Sequence, residues 1–147
     1  MQILSPESMG RILTQLTVTN RVDQAKAAQG LVPATAVRSV VLDDVLVDTG
    51  ATTLCLPRDV IARLGLDFLR EVKIATATGP SNARVFQDAK ITLLGREGTF
   101  ECVELPEGTT PLLGVIPLEA LGIEPDVQRQ QLRLLPIESD DTYLTVL

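Results

Sequence analysis

Apolar and polar residues alternate along this chain in short runs broken by glycine and proline, a pattern that predicts strands rather than long helices. Residues 10–20 set Ile12, Leu13, Leu16 and Val18 among threonines, a β-branched composition that favours an extended strand. Within 21–36, the stretch Asp23-Gln24-Ala25-Lys26-Ala27-Ala28-Gln29 predicts a helical turn that Gly30 ends and Pro33 keeps from resuming. A second strand, 37–47, runs into Asp48-Thr49-Gly50, and 52–56 is extended again beyond the break. Pro57 at a first helical position, Asp59 in the first turn, an apolar face of Ile61, Ala62 and Leu64, and Gly65 as a stop predict a short helix. Residues 71–76 and 83–86 read as the arms of a hairpin around Thr78-Gly79-Pro80, and 89–94 pairs with 99–104 across 95–98. A second short helix over 117–121, stopped by Gly122, and a strand over 131–135 complete the pattern. No linker or internal repeat interrupts it, so a mostly β, largely antiparallel domain with one or two short helices is expected.

Composition narrows what such a domain does. With 147 residues, 45% of them apolar and 22% charged, the chain matches an ordinary globular domain that forms a real core. Its 13 basic and 19 acidic side chains give a net charge of −6, and aromatic residues make up only 3%; that balance lacks the basic stripe and stacking surface that grip nucleic acid. There is no histidine, which removes Ser-His-Asp and Cys-His catalysis and the common histidine-ligated zinc sites. Chemistry falls to carboxylates, hydroxyls, amines or thiols, and no metal or cofactor is expected. The two cysteines, Cys55 and Cys102, make one disulfide at most and read as buried small apolar residues. The first residues lack the basic and apolar regions of a signal peptide, and no charge-free stretch is long enough to cross a membrane, so a cytoplasmic location is expected.

The most informative segment is Val45-Leu46-Val47-Asp48-Thr49-Gly50-Ala51-Thr52-Thr53-Leu54-Cys55-Leu56-Pro57, where an apolar strand ends in a carboxylate beside a hydroxyl and a glycine. Alone, Asp-Thr-Gly is ordinary turn chemistry. Downstream of the 71–86 hairpin, however, lies Pro111-Leu112-Leu113-Gly114-Val115-Ile116-Pro117-Leu118-Glu119-Ala120-Leu121-Gly122. That order resembles the retropepsin-like (clan AA) single-domain aspartic proteases over roughly residues 35–135. The pairing of the two segments is considerably more specific than either one.

The resemblance implies a closed, antiparallel, barrel-like acid-protease half-domain spanning 1–147, with a core over about 10–136 and a C-terminal extension over 137–147. It implies Asp48 as the catalytic carboxylate, Thr49 as the hydroxyl that locks two such loops together, and Gly50 as backbone lying against substrate. Ala51 and the Leu112-Leu113-Gly114 run support the site, and Thr76, Ala77, Thr78, Gly79 and Pro80 form a substrate-binding flap. The chemistry needs two carboxylates sharing one proton. Asp43-Asp44 and Asp140-Asp141 lack the Thr-Gly setting and read as solvated charges, so the second aspartate is expected from a homodimeric mate, with a peptide or protein as substrate. The strand at 131–135 is expected to close that dimer. Viral members usually carry an acidic residue where this chain has Thr52, and often arginine where it has Val115; both partners of an ion pair are absent together, which points to another branch of the family, and the resemblance is to its bacterial-type members. A non-catalytic dimeric peptide-binding module on the same fold is the alternative. A cysteine hydrolase using Cys55 or Cys102 lacks a histidine to generate its thiolate.

Overall fold

In the computed structural model, which describes residues 11–136, the first apolar run forms β1 (Ile12–Asn20). Ile12, Leu16 and Val18 face the core, and a bulge between Thr14 and Leu16 resets the alternation. Asn20 ends the strand by capping α1 (Arg21–Ala28): its side chain accepts from Asp23 N at 3.0 Å and donates to Leu64 O at 2.8 Å. A 3-10 turn at Ala34–Ala36 then leads into β2 (Ser39–Val47), antiparallel to β1.

Beyond the Asp48 loop come β3 (Leu54–Pro57), buried at every position, and α2 (Arg58–Leu64), which ends at Gly65 in the left-handed region at φ 62°. A long hairpin follows, made of β4 (Asp67–Thr76) and β5 (Gly79–Leu93). β6 (Arg96–Leu105) returns antiparallel to β5, then come β7 (Leu112–Leu113), α3 (Val115–Leu121), β8 (Ile123–Asp126) and β9 (Gln131–Leu134). Seven strands join in the order β1-β2-β7-β3-β6-β5-β4, β1 also bonds β5, and β8 pairs with β9 as a separate two-stranded sheet. The fold is mostly β. Leu16, Leu54, Leu56, Leu64, Ile91 and Leu113 are among its fully buried side chains.

Several expectations are corrected. Most pairings are antiparallel, as expected, but the sheet is mixed, because β7 runs parallel to β2 and β6 parallel to β3. Direction is what matters here: parallel β2 and β7 deliver the residues that follow them, Asp48 and Gly114, to the same end of the sheet. Three α-helices replace the one or two expected, α1 being a full helix once Asn20 caps it. The stretches 83–86 and 89–94 belong to one strand, β5, kinked where Asp88 takes φ 65°. The turn expected at 95–98 tightens to Leu94 and Gly95, both at positive φ, the geometry of a two-residue hairpin. Arg96 is therefore a strand residue, and it is buried. Its guanidinium donates to Leu121 O at 2.9 Å, Gly122 O at 2.7 Å and Leu135 O at 2.7 Å, tying α3 and the end of the β8–β9 hairpin to the main sheet. The expected extension over 137–147 lies outside the described residues.

Candidate active site

Val45 and Val47 anchor the end of β2 in the core, and the chain then turns at Asp48, which is half-buried. Ala51 N donates to Asp48 O at 3.0 Å to close the turn, while Gly50 N donates to the Asp48 carboxylate Oδ1 at 2.9 Å. The second carboxylate oxygen accepts nothing from the described residues. Asp48 is thus oriented by its own loop with one oxygen left open. Thr49, Gly50 and Thr52 are exposed, and Ala51 is half-buried.

The Leu112-Leu113-Gly114 run holds this loop from behind. Asp48 N donates to Leu113 O at 3.0 Å, Val115 N to Ala51 O at 3.0 Å, and Ile116 N to Thr52 O at 2.9 Å. Gly114 sits so close that a Cβ there would lie 2.5 Å from Thr53 O and 2.6 Å from both Ala51 O and Thr53 N. These are backbone atoms that cannot swing aside, so the glycine is a packing requirement of the loop rather than a turn residue. Two segments 64 residues apart in sequence, Gly50 and Gly114, are in this way one unit. Beside it, a cavity of about 440 Å³ is lined by Thr49, Val115, Leu118, Glu119, Ile123, Glu124, Pro125 and Leu135.

The hairpin expected around Thr78-Gly79-Pro80 turns instead at Ala77 and Thr78, with Thr76 paired to Gly79. Thr76 Oγ1 donates to Gly79 O at 2.6 Å and accepts from Thr78 N at 3.3 Å, and Gly79 takes φ 114°. Its arms are longer than expected because β4 begins at Asp67. No hydrogen bond among the described residues joins the tip, Thr76 to Pro80, to the Asp48 loop.

Both cysteines are free and buried, as expected of small apolar residues. The parallel register sets Leu54 opposite Cys102 and Cys55 opposite Val103, so the two thiols point to opposite faces. Burial, with the nearby Asp48 charge adding to it, pushes the Cys55 thiol up to about 11; burial does the same to Cys102, up to about 12, with Cys55 and Glu104 adding. Thiols so shifted are poor nucleophiles at neutral pH. Among the described residues no cluster of three or more His, Cys, Asp or Glu side chains is arranged to hold a metal ion, and no helix is long and apolar enough to cross a membrane.

Sequence reasoning missed the group around Glu104. The Glu104 side chain is 7% exposed, with Arg58 Nε at 3.7 Å and Arg84 Nη1 at 3.8 Å. Its three members come from β6, α2 and β5, and no local signal links them.

The mostly β fold, with its Asp-Thr-Gly loop backed by Leu-Leu-Gly, is that of a retropepsin-like aspartic protease. The chain belongs to the gag-polyprotein putative aspartyl protease family, whose model matches residues 43–120, from within β2 through the β4–β5 hairpin to α3. Among solved structures, EIAV protease complexed with the inhibitor HBY-793 is similar in fold, at 20% identity and a TM-score of 0.50, covering 81% of this chain and 95% of that one. A search of curated proteins finds no match.

Proposed function

We propose that the chain is a homodimeric aspartic endopeptidase in which Asp48 from each of two copies forms the catalytic dyad. The observation that carries this reading is the Asp48 loop: one carboxylate per chain, oriented by Gly50 N, with an oxygen left open and Thr49 exposed beside it. In the proposed dyad one carboxylate takes a proton from water while the other, protonated, donates to the scissile carbonyl. Thr49 lies at the twofold axis, and Gly50 presents backbone to the peptide. The hairpin tip, Thr76 to Pro80, closes over a substrate bound as an added strand. In the proposed half-domain the β1–β5 pairing closes the sheet into a barrel-like form.

Support for a dimer comes from the same end of the molecule. The cavity next to Thr49, apolar but for Glu119 and Glu124, opens where Leu135 stands 41% exposed, and β9 has only one strand partner among the described residues. A second copy supplies what an isolated chain lacks there, through the strand at 131–135.

The test is Asp48→Asn, which preserves shape and removes the base. The variant is expected to retain the circular dichroism spectrum and the sedimentation behaviour of the parent while losing cleavage of a peptide library by at least about a thousandfold. Full turnover by the purified variant would refute the assignment of Asp48.

A further inference from the structure

Beneath the β4–β5 hairpin lies a second cavity, of about 450 Å³, bounded by both hairpin arms and by the end of β6. Ala83 is buried and Ile74 half-buried, while Glu71, Lys73, Asn82 and Arg84 are exposed, so Ile74 and Ala83 mark the hairpin face turned toward the body. With Leu105 and Pro106 of the opposite wall they give the cavity apolar sides. At its end stands Glu104. The β3–β6 register sets Glu104 opposite Leu56, on the face it shares with Cys102. Asp48 is not part of the wall, whereas Thr76 and Ser81, next to the hairpin tip, are.

Glu104 is an unusual floor. Its side chain is more than nine-tenths buried, yet both arginine contacts, at 3.7 and 3.8 Å, are too long for hydrogen bonds. Buried carboxylates ordinarily fill their hydrogen-bonding capacity. Arg84 is held in place by stacking, 5.2 Å from the Phe68 ring centroid and 5.0 Å from that of Phe86. Glu71, on the exposed face of the hairpin, is also among the lining residues, so the residues around the cavity include two cationic and two anionic ones. Any fully charged visitor therefore meets a like charge, whereas a neutral group with both donor and acceptor meets complements of each.

We propose that this cavity is a side-chain subsite of the cleft that selects a carboxamide in the substrate, glutamine above all. The amide N–H donates to the Glu104 carboxylate, the amide oxygen accepts from Arg58 or Arg84, and the methylenes of the stem lie along Ile74, Ala83, Leu105 and Pro106. This deepens the endopeptidase reading and rests on it for the word substrate. Glu104 is a specificity residue under this proposal and takes no part in bond breaking.

The test uses matched peptides that carry Gln, Glu, Lys or Leu at each position in turn. kcat/KM is measured with the full chain, and binding with the non-cleaving Asp48→Asn chain by fluorescence anisotropy. At one position Gln is expected to exceed Glu, Lys and Leu by about tenfold or more, the scale on which unpaired buried polar groups discriminate. Glu104→Gln leaves the arginines in excess and moves the preference to Glu. Arg84→Gln leaves the carboxylates in excess and moves it to Lys. A merely structural role for Glu104 would lower all four peptides alike. Equal use of the four residues at every position, unchanged preferences in both variants, or no binding of any peptide overturns the subsite. If peptides bind the Asp48→Asn chain with the expected preferences while the parent cleaves none, the subsite stands and the endopeptidase reading fails.

Discussion

A single added methyl measures how tightly the candidate site is built. At Gly114 it would overlap three backbone atoms of the Asp48 loop, and relief requires the loop or β7 to move. Gly114→Ala is therefore expected to cost about 3 kcal/mol, at the upper end of ordinary overpacking, read as a lower urea midpoint. An unchanged midpoint would mean the two segments are not packed as described. Far from the site, Asp23 shows a different kind of constraint. Both of its carboxylate oxygens accept from the Arg38 side chain, at 2.8 and 3.0 Å, and Arg38 N donates to it as well. These bonds, the side-chain pair first, hold the Asp23 carboxyl below its ordinary value of 3.8. A lowered folded-state value means the unfolded chain binds the proton more readily. The stabilisation is therefore complete above about pH 4 and is lost as pH falls through the folded value. Asp23→Asn is expected to be less stable than the parent at neutral pH, with the gap narrowing in acid. A gap independent of pH from neutral to about pH 2 would contradict the ion pair as its source.

Among elements, the β8–β9 hairpin depends on one side chain of another sheet. Arg96 supplies hydrogen bonds to three carbonyls at the end of α3 and just past β9. Arg96→Met keeps the volume but leaves those carbonyls without that donor, and is expected to destabilise the protein by on the order of 2–3 kcal/mol, seen in chemical denaturation. Proteolysis should then begin in 123–135 before the main sheet; simultaneous cleavage everywhere would show that Arg96 does not hold that hairpin. The elements also show where the sequence was legible and where it was not. α2 and α3 announce themselves through a proline near the start and a glycine behind, and Gly65 and Gly122 do adopt φ 62° and 64°. The Asp48 loop and the Gly114 segment were readable because each carries residue types that ordinary strands do not need. β7 was not, since two residues have no periodicity, and the parallel pairings were not, because alternation reports which face is buried and never which strand lies alongside. Arg96 read as a turn residue because a charge beside Gly95 looks solvated until its acceptors, 25 to 39 residues further on, are in place.

For the molecule as a whole, the decisive feature is that a chain with a single Asp-Thr-Gly loop holds half of the proposed dyad. Two copies must therefore act as one enzyme, and subunit mixing tests this most directly. Parent and Asp48→Asn chains are combined in varied ratio at constant total concentration, allowed to exchange, and assayed for peptide cleavage. If both aspartates of a dimer are required, activity falls as the square of the parent fraction, to about one quarter in an equal mixture. Activity that falls in simple proportion to the parent fraction, to about one half, would show that each chain works alone and would contradict the shared dyad.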